Sequence, residues 1–457
     1  MHDVLDPRDL VPDEAEQLRL AGYPVGPLET EARAAAAAGD LNRLADLDAA
    51  LVQLRRPLDW PYHEPDDDAS LVALADAVAP TGCDADALPA RVRGAWLGRA
   101  VGNTLGKPIE GLTRTQVELY LRAADQWPQT GYVPLLDPLP DGVPHLHPSA
   151  PVATAGRFVD VPRDDDIDWT ILNLYLMERY GTGLTTTDIA AQWLDRVPFT
   201  QTYTAERAAY RNLIHGIAPP ETATRANPYR EWIGAQIRSD GWAYVCAGKP
   251  ELASEFAYRD ACWTHERNGI YGEMFCAAMQ AAAFVERDPA KLVAIGLSEI
   301  PAECRLARYV RQAVGWVKEC KDFEACMDRI DAALPEMSPV HTINNALICV
   351  ISLFYGKMDT TATIATSVMC ALDTDCNGAT VGSIVGAAAG KQRFRPELAA
   401  RLNDTIKPNI IGFQEVRMAE LAKRTYTQWL RVEAWLREKQ AGAKPVAKST
   451  AAGVVGG

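Results

Sequence analysis

The chain has 457 residues, 48% of them hydrophobic and 23% charged, a balance suited to a folded globular protein. Lys plus Arg is 46 against 60 Asp plus Glu, a formal charge of −14, which argues against a whole-protein electrostatic grip on nucleic acid or an anionic membrane. Uncharged runs such as His341 to Gly356 fall short of the ~18 apolar residues of a spanning helix, and this one carries Asn344 and Asn345. The acidic opening MHDVLDPRDL lacks the apolar centre of a secretory signal, and the ten cysteines form no CxxC pair. Reduced thiols and a cytoplasmic location are therefore expected.

Residues 1–88 read as a helical extension. An Ala-rich run after Pro27 stops at Gly39, and Asp40 is placed to cap a second run, so a helical hairpin packed on the main body is expected. Asp66, Asp67 and Asp68 precede SLVALADAV and read as helix-start acids rather than a metal site. The main body, residues 89–438, is dominated by helical periodicity with few strand signals, which predicts an all-α protein. Seven prolines between Pro134 and Pro162 mark a long surface loop of the kind that forms lids or rims. His145 and His147 in that loop have HxH spacing, but no second ligand pair matches it, so zinc is not expected. Residues 439–457 end in an Ala/Gly/Val/Lys-rich stretch and read as a disordered tail.

Two helices carry glycines at steps of four: Gly94, Gly98, Gly102 and Gly106, then Gly378, Gly382, Gly386 and Gly390. Such steps put each set on one helix face. Each interior glycine costs ~1 kcal/mol relative to alanine, so bare backbone is needed for a close helix crossing or for a ligand. Asp164, Asp165, Asp166 and Asp168 crowd the start of another helix. A helix N-terminus accommodates one or two acids, whereas four repel and either take up protons or share a cation. Asp373 and Asp375 stand at the start of the second glycine helix. Two carboxylate-bearing helix starts suit an all-oxygen site for Mg²⁺ or Mn²⁺ if the fold brings them together.

In this arrangement the chain resembles the ADP-ribosylglycohydrolase family. The first family motif, GxxxGxAxGDxxGxPxE, falls on Gly94, Gly98, Ala100, Gly102, Asn103, Gly106, Pro108 and Glu110. The second, TDDT, falls on Asp164-Asp165-Asp166-Ile167, and the last, DTDT, on Asp373-Thr374-Asp375-Cys376. The segment around His265 is similar to the family's middle helix, and the likeness runs from about Leu88 to Tyr426. The resemblance implies an all-α, orthogonal multi-helix bundle with two magnesium ions in a central cleft. It also implies hydrolysis at the anomeric carbon of an ADP-ribosyl or related ribosyl group. Carried over residue by residue, the metal ligands are Asp165, Asp166, Asp373 and Asp375, with Asp164 and Cys376 where the family has threonines. Glu110 matches an acidic residue near the substrate.

Three positions depart from the pattern. Asn103 stands for an aspartate, Asp164 for a threonine, and Cys376 offers sulfur where magnesium prefers oxygen. They point to a divergent branch, whose substrate is a ribosylated small molecule or an ADP-ribosylated group. Glu110 or Asp168 is expected to deprotonate the attacking water. Asn103 and the backbone beside Gly102, Gly106 and Gly378 are expected near the substrate, the amides meeting a pyrophosphate. Asn227-Pro228-Tyr229 and Tyr271 are rim candidates, and Arg238 and His265 are candidates for phosphate or base. Two other readings stand beside this one: a non-catalytic ADP-ribose or nucleotide sensor, and an isoprenoid synthase using Asp164-Asp165-x-x-Asp168 as a DDxxD motif.

Overall fold

The computed structural model describes residues 5–67, 70–71 and 83–442. Helices form nearly all of the regular structure. The only sheet among the described residues pairs Thr405–Ile406 with Val416–Arg417. The all-α expectation holds.

The glycine spacing finds its explanation in one crossing. The helix Leu88–Gly106 lies antiparallel against the helix Thr374–Ala389. A Cβ on Gly94 would meet the Gly386 carbonyl oxygen at 2.4 Å, one on Gly98 the Gly382 oxygen at 2.0 Å, and one on Gly102 the Gly378 oxygen at 1.9 Å. At the last step a Cβ on Gly106 would meet the Thr374 oxygen at 2.2 Å. The glycines therefore serve backbone-to-backbone packing, and the antiparallel order delivers the end of the first helix to the start of the second. Thr374 Oγ1 closes the junction by donating to the Gly106 carbonyl at 2.9 Å.

A third helix start joins them. Arg99, fully buried on the first glycine helix, donates Nε and Nη2 to the Asp166 carbonyl at 2.8 and 2.6 Å. Its Nη1 donates to Asp240 Oδ2 at 2.6 Å. The helix Asp165–Tyr180 thus begins beside the glycine pair.

The N-terminal residues form three helices, Pro7–Leu20, Leu28–Ala38 and Leu41–Gln53, one more than the expected hairpin. Gly39 ends the second in the left-handed region, and Asp40 caps the third by accepting from the Arg43 amide at 3.0 Å. They share a small core that includes Val11, Ala15, Leu18, Leu44 and Leu47. Polar ties anchor them to the body: Gln17 Nε2 donates to Glu231 at 2.5 Å and Arg230 to Glu14 at 2.5 Å. Leu10 packs with Tyr229 and Trp232. Asp67 caps Ser70, while Asp68 and positions 72–82, which hold most of SLVALADAV, lie outside the described residues. The last helix, Met418–Gly442, runs past position 439, and the rest of the expected tail lies outside them too. All ten cysteines are unpaired. No helix among the described residues is long and apolar enough to cross a membrane.

Candidate active site

A cavity of about 480 Å³ opens where the three helix ends converge. Its floor holds Glu110, Asp164, Asp165, Asp166, Asp373 and Asp375, so the two acidic clusters do meet. Asp373 is aimed by an unusual backbone: Ala371 and Leu372 before it both take positive φ, 64° and 60°. Each such residue is strained by roughly 1–3 kcal/mol and persists only where the surroundings enforce it. Asn345 helps to do so, its Oδ1 accepting from the Asp373 amide at 3.3 Å and from Asn377 Nδ2 at 2.7 Å.

Asp164 has the backbone of a helix N-cap, yet its side chain caps nothing. It turns instead toward the first glycine helix. Asn103 Nδ2 reaches Asp164 Oδ2 at 2.8 Å, and the Lys107 ammonium lies 2.5 Å from the same oxygen and 3.5 Å from Asp375 Oδ2. Burial alone would lower the Lys107 pKa, but Asp164, Asp375 and Glu110 outweigh it and hold the ammonium charged. Burial would likewise raise Asp164, but Lys107 and the hydrogen bonds it accepts pull it down.

The remaining carboxyls move the other way. Burial first, then their acidic neighbours, raise Asp165, Asp166, Asp373, Asp375 and Glu110. Crowded carboxylates of this kind hold protons or share a cation. Burial also raises the Cys376 thiol, which donates to Asp166 Oδ2 at 3.2 Å.

Two sets of side chains bring ligand atoms within 4.8 Å of one another: Asp166, Asp375 and Cys376, and Glu110, Asp373 and Asp375. Asp375 belongs to both. It is 2% exposed, and its Oδ1 is buried with no hydrogen-bond partner. A buried carboxylate oxygen without a partner, set among other carboxylates, suits coordination to a hard divalent ion, so the donor set fits one.

Several expected contacts lie elsewhere. Asp168 is buried and does not line the cavity; it sits between Arg163 Nε at 3.2 Å and the Asn409 amide at 3.1 Å. Gly102, Gly106 and Gly378 face the opposite helix backbone rather than the cavity. His265 is 1% exposed, with Nδ1 beside Thr264 Oγ1, and Tyr271 is buried with its hydroxyl donating to the Pro65 carbonyl. Asn227 is spent on the carbonyls of Ala223 and Thr264, and Arg238 on Glu206 and Asp260. Asn103 stands behind the carboxylates and does not line the cavity.

Other lining residues are absent from the motifs. Lys107 occupies an unspecified motif position between Gly106 and Pro108, and lines the cavity. The proline loop does form part of the rim: His147 lines the cavity with Nε2 at 3.4 Å from Glu110 Oε2, while His145 is exposed. Trp232 and Tyr203 supply aromatic walls, and Arg163 adds a cation, paired with Asp168 at 3.1 Å.

A model of the ADP-ribosylglycohydrolase family matches residues 84–433, more than half of the chain. No curated protein sequence matches the chain. A solved structure described as an ADP-ribosylglycohydrolase-related protein complex is similar at 20% identity and a TM-score of 0.48, covering 75% of this chain and 99% of its own. The length of the family match is decisive: the chain belongs to the ADP-ribosylglycohydrolase family, and a glycohydrolase-type function is what that membership supports.

Proposed function

We infer that the cavity cleaves the glycosidic bond at the anomeric carbon of an ADP-ribosyl or related ribosyl group, with help from Mg²⁺ or Mn²⁺. The observation that carries this reading is the convergence of the two acidic helix starts on Asp375, whose buried Oδ1 lacks a partner. Glu110, Asp373 and Asp375 would hold the cation, with Asp165 and Asp166 alongside. When bound, a divalent ion supplies fixed positive charge for ribose hydroxyls and acidifies a water.

The chain's own groups supply the rest. Bond cleavage at an anomeric carbon passes through an oxocarbenium-like state and needs a positioned water on one side and a protonated leaving group on the other. Glu110 is partly exposed at the cavity, with His147 Nε2 3.4 Å from its Oε2. That suits an exchange of a proton between Glu110 and the reacting oxygen, with His147 Nε2 as its neighbour. Tyr203 and Trp232 offer flat surfaces to a base, and Arg163 offers charge to a phosphate. The wall that carries Trp232 is backed by Leu10, so the N-terminal helices shape the rim.

A second reading, a binder of ADP-ribose without turnover, draws on one observation, the Lys107 ammonium set among the carboxylates. The isoprenoid synthase reading is set aside, because Asp168 lies outside the cavity that holds Asp164 and Asp165. The test is incubation with N- and O-linked ADP-ribosyl conjugates in Mg²⁺ or Mn²⁺, following released ADP-ribose. Release that disappears in Asp375→Asn supports the hydrolase. Binding of ADP-ribose with no release from any conjugate supports the binder.

A further inference from the structure

The carboxylate cluster joins an Asp164 side, which holds Lys107, to a Glu110 and Asp373 side through Asp375. On the first side, Lys107 is nine-tenths buried and its Nζ sits 2.5 Å from Asp164 Oδ2 and 3.5 Å from Asp375 Oδ2. Asp164 gives up helix capping to make this contact and also accepts from Asn103 at 2.8 Å. It belongs to neither set of converging ligand atoms. A divalent ion brought beside Asp164 would meet the ammonium at short range in a poorly solvated site, where like charges repel strongly.

Asp166 is already engaged. Arg99 Nη2 lies 3.3 Å from its Oδ1, and the Cys376 thiol donates to its Oδ2. Hard cations in any case prefer oxygen to the Cys376 sulfur. On the second side, Glu110, Asp373 and Asp375 converge as an all-oxygen set, and Asp375 carries a buried oxygen, Oδ1, with no hydrogen-bond partner.

We propose that Lys107 is a built-in cation that fills one side of the cluster, so that the site takes a single divalent ion, held by Glu110, Asp373 and Asp375. The inference rests on the reading of the cavity as a divalent-cation site. The family resemblance implies two ions, and this chain's own lysine takes the place of one.

The test is a titration of the intact chain with Mn²⁺ alone, counting bound ions from the loss of the free Mn²⁺ electron paramagnetic resonance signal. The wild type should bind one ion per chain in this cavity, and Glu110→Gln should weaken it at least tenfold. Lys107→Ala should bind two, and Lys107→Arg should stay at one. Two ions on the wild type would overturn the inference while leaving the cation site intact. A folded Lys107→Ala protein that still binds only one would overturn it as well. If Lys107→Ala does not fold, the wild-type count and the Glu110→Gln effect still decide. No Mn²⁺ on the wild type would remove both the inference and the cation reading beneath it.

Discussion

The same two helices build two opposite environments. Along most of their length, Leu88–Gly106 and Thr374–Ala389 touch through glycine backbones, and nothing larger than hydrogen fits between them. One turn further, where they meet the start of Asp165–Tyr180, six carboxyls share a cavity floor. The first region is held by shape, the second by charge. The difference teaches that the tight crossing is what makes the crowded site possible: only bare backbones bring the end of one helix, with Lys107 and Glu110, so close to the start of the other, with Asp373 and Asp375. It also predicts that the regions fail differently, one in stability and the other in activity.

The sharpest contrast comes from filling the crossing. Gly102→Val would drive a side chain into the Gly378 carbonyl, already 1.9 Å from a bare Cβ. Overpacking against rigid backbone should cost about 3 kcal/mol or more, and thermal unfolding should show a lowered Tm or no cooperative fold. Activity should be lost with the fold. Equal stability in this variant would break the account of the crossing.

Changes in the cluster should do the reverse. Asp375→Asn removes one crowded, buried anion, so Tm without metal should hold or rise, while turnover and Mn²⁺ binding fall by about 10²-fold or more. Glu110→Gln keeps the shape of a partly exposed side chain and should lower kcat by about 10²-fold with little change in Tm. A variant that instead lost stability and kept activity would make its residue structural and dissolve the contrast.

Metal removal gives a smaller effect. Mn²⁺ or Mg²⁺ should raise the Tm of the wild type, by roughly 2.7 kcal/mol of stability when the ion is at a hundredfold its Kd, and EDTA should reverse it. Asp375→Asn should lose most of that response. The smallest effect provides the control for the crossing. Gly315, inside the helix Arg305–Glu319, has open space where a Cβ would go. Gly315→Ala should therefore stabilise by about 0.5–1 kcal/mol, measured by denaturant unfolding.

Much of this was legible in the residues themselves. Steps of four glycines announced bare helix faces, because no other residue leaves the backbone exposed at that period. Acids packed four in five at one helix start announced a shared counter-charge. What could not be read was which of the neighbours face the cavity. Asp168 lies one turn from Asp164 and Asp165, yet the helix rotation sends it to Arg163 and the Asn409 amide, far along the chain. His265 and Tyr271 looked like polar groups near a site, but partners such as Pro65 in the N-terminal segment bury them. Lys107 was overlooked because a charged residue between Gly106 and Pro108 carries no local signal. Its meaning depends on Asp164, 57 residues away in sequence and 2.5 Å away in space.

The account stands most directly on whether a divalent ion sits at Asp375. Crystals of the wild-type protein grown with Mn²⁺ and measured at the manganese absorption edge should show one anomalous peak in the cavity, bounded by Glu110, Asp373 and Asp375. Crystals that diffract well and show no anomalous peak anywhere in that cavity would contradict it.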